Sequence, residues 1–530
     1  MKKLCLFILL PLLFLTACDI DRTAIAPSGI AQRLNPSQEE VYDDQQQYVE
    51  LNPVIVTIPT AQPIDDGVLR LSMRHPLTLN PLINEDVTVA RILRLIFEPL
   101  VVLDENFRPT SHLAEIEFAS DFSSVVLTIR SDAFWSDGMP VTSDDLIFSV
   151  QTLRAAPANA IYRQNVDNIA NITRISTRAV QVHFHNTSLC AAMSLNFPII
   201  PQHHYRNQLT LRSANNMVPL GNAPFMLESF TPMRNITLVQ NPYSFRQRPQ
   251  IEQVEVIFVP DAQTDLYAFD QGRVDAIHLP LTEWARHHSV RHIRHEIFPA
   301  MYFEFVGFNF QRDIFDSHYT RQGIAHAFDI CSAIEAVYLN HAVRAISPIH
   351  PYMWAASGTG GLAFDPTRAR ALLNTVEVLQ PLIVLVNTDN VQRVSIAHRL
   401  ASSLNAVGLP AVVGAVPYTE YFARLASGDF DLFIGGVNLA FAPDVSFFFQ
   451  GGFYMYDPQL QNAFDATGLA VTEAAYMHAI AQFQQAFAER LPVISLAFRH
   501  SAMLTNMRIS QAVPPTPDNV LGGVNMWGVE

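Results

Sequence analysis

The stretch from Leu382 to Gly435 constrains the fold more than any other, because short apolar runs alternate in it with helical patterns. The pattern predicts strands at 382–386, 411–416 and 430–435, with helices at 391–407 and 418–427. Strands that alternate with helices build α/β lobes. Ala442, Pro443 and Asp444 follow the last of these strands, at the end where open α/β sheets bind ligands.

A second stretch, Val125 to Leu153, predicts a strand, a turn and a capped helix. Alternating apolar residues give the strand, and a Ser-Asp-Gly sequence at 136–138 gives the turn. Thr142 can cap the helix, and Asp144 and Asp145 then place negative charge in its first turn, where the helix dipole favours it. Adjacent carboxylates could also be an acid/base pair, but capping already accounts for both.

Length and charge exclude some classes of protein. A chain of 530 residues is too long for one compact core, so two or more lobes are expected. With 49% hydrophobic and 16% charged residues, the chain is not disordered. A formal net charge of −15 argues against a nucleic-acid partner, since such a surface is basic.

The N-terminus predicts the cellular compartment. Lys2 and Lys3 precede an apolar run at 4–15 that is short for a membrane span, which indicates a signal peptide. The sequence Leu-Thr-Ala-Cys at 15–18 resembles a bacterial lipobox, which implies cleavage after residue 17 and an acyl anchor on Cys18. Residues 18–66, rich in Gln, Asp, Glu, Ser and Pro, are predicted to be a flexible tether.

Cysteine and histidine leave two questions open. Cys190 and Cys331, both in the folded body, could form a disulfide or remain as two buried thiols. Histidines cluster at 287, 288, 292 and 295, beside Glu296. A metal site would need a recognisable ligand spacing, which this cluster lacks, so we expect a solvated loop or helix end and no metal.

An ordered series of motifs carries a family resemblance. It comprises Ser-Asp-Gly-Met-Pro-Val-Thr-Ser-Asp-Asp-Leu-Ile-Phe-Ser at 136–149, Gly-Asn-Ala-Pro-Phe at 221–225, a helix and Gly cap at 267–275, Gly-Phe-Asn at 307–309 and an Asp-Pro helix start at 364–373. Together these resemble the extracellular solute-binding proteins of the oligopeptide and dipeptide class (family 5), over residues 67–515.

The resemblance implies an α/β, two-lobed, periplasmic-binding-protein-like (class II) fold with hinge strands and an extra subdomain in the first lobe. Lobe 1 is expected at 67–305, with that subdomain inserted, and lobe 2 at 306–485. Residues 486–530 would return to lobe 1.

The resemblance also implies a function. A lipid-anchored, monomeric binding protein on the outer face of the cytoplasmic membrane would capture a solute, with a peptide as the ligand that the resemblance implies, and deliver it to ABC transporter permease subunits. It would need no cofactor and would not be an enzyme. The alternatives are a binder of a non-peptide solute such as a sugar or metal complex, an envelope hydrolase, and a non-transport lipoprotein.

Candidate ligand contacts follow from the same resemblance. The aromatic candidates are Tyr302, Phe305, Trp354 and Phe441, and the polar ones are Asn80, Asn309, His350, Asn438 and Asp444. Peptide binders of this class pair the ligand amine with an aspartate four residues before a proline. Aligning that proline with Pro443 places Leu439 at this position, so Leu439 is expected to line the cleft without selecting a free N-terminal amine.

Overall fold

The computed structural model describes residues 67–185, 189–206, 213–280, 292–358, 360–441, 457–513 and 515–529. Its strands are β1 (Val68–Met73), β2 (Val101–Leu103), β3 (Pro109–Ser111), β4 (Ala114–Phe118), β5 (Ser124–Ile129), β6 (Ile169–Arg174), β7 (Ala179–Phe184), β8 (Phe225–Thr231), β9 (Asn235–Gln240), β10 (Gln253–Phe258), β11 (Ala276–Pro280), β12 (Ile293–Phe308), β13 (Ala342–Arg344), β14 (Leu382–Asn387), β15 (Ala411–Val416), β16 (Leu432–Asn438), β17 (Val493–Asn506), β18 (Ile509–Ser510) and β19 (Gly528–Val529). Its helices are α1 (Val87–Leu93), α2 (Ser143–Ala155), α3 (Gln202–Tyr205), α4 (Ala262–Asp270), α5 (His318–Ala327), α6 (Ile330–Tyr338), α7 (Pro366–Leu373), α8 (Val391–Ala406), α9 (Tyr418–Ser427), α10 (Pro458–Thr467) and α11 (Glu473–Arg490).

Two four-stranded sheets share the first hydrophobic core. One has the order β1-β10-β9-β8 and the other β4-β5-β7-β6. Trp135 and alternate residues of β5 pack in this core. The predicted capping box of α2 is confirmed: Asp145, 4% exposed, accepts the backbone N–H of Thr142. Its neighbour Asp144 is exposed and forms an ion pair with Arg174.

The second core lies against a seven-stranded sheet. The sheet has the order β11-β17-β12-β16-β14-β15, and β13 pairs with β17 at its side. β14 runs parallel to β15 and β16, and α8 packs the buried side chains of Ile396, Leu400 and Leu404 on this part of the sheet. The predicted α/β lobe is therefore confirmed.

Two long strands, β12 and β17, pass from one core to the other. They pair antiparallel, with an irregularity between Pro299 and Phe303. On β12, Phe298 packs in the first core and Val306 in the second. These are the expected hinge strands. The predicted division at residues 305 and 306 falls inside β12, and the domain boundaries stay a prediction.

The structure corrects three expectations. The sequence from Arg321 to Leu339 predicts one continuous helix. The structure has two, α5 and α6, because Phe328 is extended and the side chain of Asp329 caps α6 through the N–H of Ser332. Of the histidine cluster, His287 and His288 lie outside the described residues, and His295 lies in strand β12, in contrast to the expected loop or helix end. Cys331 is a free, exposed thiol, so neither the disulfide nor the buried-thiol alternative describes it. None of the helices in the described ranges has the length and apolarity needed to cross a membrane.

Candidate functional site

Three neighbouring strands, β12, β16 and β14, place polar side chains at one edge of the seven-stranded sheet. Asn387 is the last residue of β14 and Asn438 the last of β16. Tyr302 of β12 is paired with Asn438 by register. Since the carboxyl ends of parallel strands are where open α/β sheets bind ligands, this edge, which we call the lobe-2 edge, is the candidate site.

A buried ion cluster lies on one face of the lobe-2 edge. The carboxylate of Glu304 is fully buried, and its Oε2 accepts a hydrogen bond of 2.9 Å from Nε of Arg393. Its Oε1 lies 3.1 Å from Nε of Arg499 on β17. Burial lowers the pKa of Arg393, but the charge of Glu304, its hydrogen bond and the nearby phenol of Tyr302 together outweigh burial and raise that pKa well above its ordinary value.

Tyr302 completes the cluster. Its hydroxyl accepts a hydrogen bond of 3.1 Å from Nη2 of Arg393, and the guanidinium carbon of Arg499 lies 3.7 Å from its ring centroid. That distance is short enough for a cation–π interaction. Gly436 on β16 provides the space: a Cβ there would lie 2.8 Å from Oε2 of Glu304 and 2.9 Å from the Tyr302 ring. The glycine is therefore needed for the cluster to form.

An aromatic group lies on the other face of the lobe-2 edge. His350 is 1% exposed, and its ring centroid is 4.5 Å from that of Phe498 and 5.1 Å from that of Phe107. Its Nδ1 accepts the backbone N–H of Tyr352. Burial, together with the neighbouring His500, lowers the pKa of His350 to about 3. His350 is therefore neutral at physiological pH, with a proton on Nε2.

Residues 104–108, which we call the hairpin tip, connect β2 to β3 and bring lobe 1 against this aromatic group. Phe107 is 1% exposed at a φ of 60°, and its ring centroid lies 6.0 Å from that of Phe441. The carbonyl of Asn106 accepts the backbone N–H of Trp354 at 3.0 Å. Arg108 pairs with Glu473 and lies over the Trp354 ring, 4.3 Å from its centroid. The lobes are therefore in contact at this edge.

The structure brings most of the predicted contact residues together and separates others. Those at the lobe-2 edge, or at the hairpin tip facing it, are Tyr302, His350, Trp354, Asn438, Leu439 and Phe441. Phe305 lies deeper, stacked on Phe303 in a third hydrophobic core that also contains Phe107 and Phe498. Asp444 lies outside the described residues, as does Cys18.

Asn80 and Asn309 serve the backbone around them. The side chain of Asn80 accepts the N–H of Leu82 and donates to Asn216. Asn309 donates to the carbonyls of residues 428 and 430. It follows the far end of β12, and at about 3.3 Å per residue it lies roughly 23 Å along the strand from Tyr302.

Sequence reasoning missed Glu304, Arg393, Arg499 and Phe107. Strand alternation alone offered a signal: Tyr302 and Glu304 share one face of β12, and a charged residue within a buried strand is unusual unless it is paired. Within the residues that the structure describes, no group of three or more His, Cys, Asp and Glu side chains could hold a metal ion.

Two hydrophobic cores joined by two long strands are the architecture of two-lobed solute-binding proteins. The family model for bacterial extracellular solute-binding proteins, family 5, matches residues 108–455. The chain belongs to that family.

Similar proteins agree with this assignment. Brucella proteins named as peptide-binding proteins of ABC transporters are 21% identical over 339 residues, a match that covers 61% of this chain and 64% of theirs. The chain thus matches less than two thirds of those relatives' length. The oligopeptide-binding protein AppA of Bacillus subtilis is 20% identical over 404 residues, which cover 70% of this chain and 74% of AppA.

Solved structures show the same two-lobed fold. AppA of Bacillus subtilis, in complex with a nonapeptide, has a TM-score of 0.64 at 17% identity and covers 88% of this chain and 100% of its own. NikZ of Campylobacter jejuni, in complex with Ni(L-His), has a TM-score of 0.69 at 19% identity, with the same coverage. The predicted fold class is confirmed.

Proposed function

We propose that this protein captures a short peptide outside the cytoplasm and delivers it to the permease of an ABC importer. An acyl chain on Cys18 would hold it at the outer face of the cytoplasmic membrane, and residues 18–66 would be its tether. Lobe 1, lobe 2 and the returning segment 486–530 would close over the ligand about β12 and β17.

One observation carries the proposal: several of the buried polar side-chain atoms that have no hydrogen-bond partner lie at the lobe-2 edge. Across the described ranges they include Oδ1 of Asn387, Oε1 of Gln392, Nε2 of His350, Nε2 of His500 and Nε1 of Trp354. Buried polar groups in native proteins are almost always hydrogen-bonded, so donors and acceptors facing one edge suit a polar ligand there.

A peptide fits this mixture of groups. Its main chain offers N–H groups to the Asn387 and Gln392 oxygens, and carbonyls to the ring N–H groups of His350 and Trp354. Its apolar side chains would pack on Leu439, which belongs to the third core, and on Phe441, which packs against that core. The names of AppA and the Brucella relatives support a peptide.

The proposed contacts are Tyr302, His350, Trp354, Asn438, Leu439, Phe441 and Asp444. Phe305 is left out because it is buried in the third core. We leave Asn80 and Asn309 out, since their side-chain amides already form hydrogen bonds with nearby backbone and side-chain groups of the same fold. A second candidate ligand is a metal complex, favoured by the likeness to NikZ with its Ni(L-His).

Thermal-shift screening of residues 19–530 tests the proposal. Di- to pentapeptide mixtures should raise the melting temperature saturably, because a ligand at 100 times its Kd stabilises the folded state by about 2.7 kcal/mol. Sugars and nickel–histidine form the comparison sets. Stabilisation by one of those sets alone, or hydrolysis of the peptides, would contradict a peptide binder. N-acetylated peptides should bind as well as free ones, because Leu439 occupies the position of the amine-binding aspartate.

A further inference from the structure

Three aromatic rings form a triangle at the margin of the first core. The ring centroid of His75 lies 5.1 Å from that of Phe258 and 6.4 Å from that of Phe230, and the two phenylalanine centroids are 5.8 Å apart. Phe230 and Phe258 are partly buried against the first core, whereas His75 is exposed. The triangle therefore has one side on the core and one side in solvent.

Two long apolar side chains extend the solvent side of this triangle. Leu77 follows His75 by two residues and is 82% exposed. Met233, in the turn between β8 and β9, is 79% exposed. The backbone N–H of Phe258 donates to the carbonyl of residue 234, which holds this turn beside the triangle. We call these five residues the apolar patch, and a grouped apolar surface of this kind marks a binding site more often than a single exposed residue does.

One segment of this chain, outside the described residues, has the composition to cover the apolar patch. Residues 53–59 read Pro-Val-Ile-Val-Thr-Ile-Pro, within a tether that is otherwise rich in polar residues. In an extended chain Val54, Val56 and Ile58 would share one face. An apolar run of this kind gains free energy when it leaves water, and β-branched residues suit an extended backbone.

The segment is close enough in the chain to reach the apolar patch. The described structure begins at Gly67, just before β1, and His75 comes two residues after β1 ends. At about 3.3 Å per residue, the patch lies roughly 20–25 Å from Gly67. The nine steps from Ile58 to Gly67 span up to about 30 Å when extended. The segment can therefore lie on the patch of its own molecule.

Charge favours the same pairing. Every charged residue between positions 34 and 66 is acidic, including Glu50, which precedes Val54 by four residues. Arg234 is exposed beside Met233 in the β8–β9 turn. Opposite charges at an exposed surface add little affinity, but they favour the correct encounter.

We propose that residues 54–58 dock on the apolar patch of the same molecule. Docking would leave residues 18–53 between the proposed anchor at Cys18 and the folded body, and would fix which face of the molecule is turned toward the membrane. Little affinity is needed, because a short linker gives an effective concentration on the order of 1 mM. The docking does not depend on which solute the cleft binds.

Hydrogen exchange followed by mass spectrometry on residues 19–530 tests the docking. With a Kd of about 0.1 mM, the segment is docked about nine-tenths of the time, so its amides should exchange about tenfold slower than in a free peptide of the same sequence. The double variant Leu77→Ser, Met233→Ser should restore the free-peptide rate without lowering the melting temperature, because both side chains are exposed. Leu379→Ser, at a fully exposed leucine between α7 and β14, is the matched control and should keep the slow exchange.

Exchange of residues 54–58 at the free-peptide rate in the wild-type protein, or slow exchange that survives the double variant, overturns the docking. Sedimentation velocity tests a different occupant. A dimer that the double variant abolishes, with residues 54–58 exchanging freely, would assign the apolar patch to a second copy and overturn the proposal. Deletion of residues 54–58 is the reciprocal variant: it should speed exchange at Met233 and Arg234, and unchanged rates there would contradict the docking.

Discussion

Phe107 reaches from the hairpin tip of lobe 1 into the aromatic group of lobe 2, so shortening it tests whether lobe closure and ligand binding are linked. A Phe→Ala change in a core costs about 3–5 kcal/mol. Phe107 shares the third core with Leu103 and Met193 of its own lobe, and its ring contacts His350 and Phe441 across the cleft. If half of the cost falls on the contacts across the cleft, closure loses about 2 kcal/mol and the Kd for peptide rises about 30-fold.

Two further variants calibrate this result. Arg108→Ala removes an ion pair whose side chains are 42% and 50% exposed, which is worth less than about 1 kcal/mol, so the Kd should rise no more than about fivefold. Phe122→Ala is the matched control, because Phe122 also has a left-handed backbone (φ 53°) and lies in the β4–β5 turn. Peptide calorimetry gives Kd, and small-angle scattering reports the fraction of closed protein. If Phe107→Ala and Phe122→Ala have the same Kd within twofold, the link between this contact and closure is refuted.

Three predictions concern stability and the ion cluster. Asp145→Ala removes the carboxylate that accepts hydrogen bonds from Trp135, Thr142 and Gln202, and should lower the free energy of unfolding in urea by about 3 kcal/mol. Asp144→Ala, at the partly exposed neighbour, should lower it by less than about 1 kcal/mol. Peptide affinity should be unchanged in both variants. Burial raises the pKa of Glu98, but its hydrogen bond with the His112 ring and the nearby positive charges outweigh this and lower it from 4.5 to about 2. Glu98 therefore contributes about 3 kcal/mol above pH 4.5 that is lost as the pH falls toward 2. Glu98→Gln should flatten the stability curve over that window, and an unchanged curve would contradict the assignment. Gly436→Ala should displace the buried ion cluster, including the proposed ligand contact Tyr302, and weaken peptide binding about tenfold in calorimetry, while the protein stays folded by circular dichroism.

Local elements could be predicted because their signals are local. The bounds of β15 and α9 agree with prediction. A run rich in valine favours a strand at β15, and the spacing of apolar residues favours a helix at α9, so each segment has few alternative structures. The capping box of α2 is a pattern within four residues. The break between α5 and α6 was missed because Asp329 suits a helix interior poorly but a cap well, and periodicity alone does not separate the two.

The site was harder to predict, because it exists only after folding. Glu304, Arg393 and Arg499 are brought together by the order of the strands in the sheet, and nothing in their separate segments indicates a partner. Asn80 and Asn309 show the opposite error. Asparagine bonds its own turn as readily as it bonds a ligand, and a sequence motif does not distinguish the two.

Native mass spectrometry of the protein purified from its own cells tests the central claim most directly. We expect a bound species of peptide mass that is retained in gentle ionisation and can be sequenced after release. Its amount should fall sharply in Phe107→Ala. A co-purified sugar or metal complex in place of a peptide, or the same peptide occupancy in Phe107→Ala, would contradict the account.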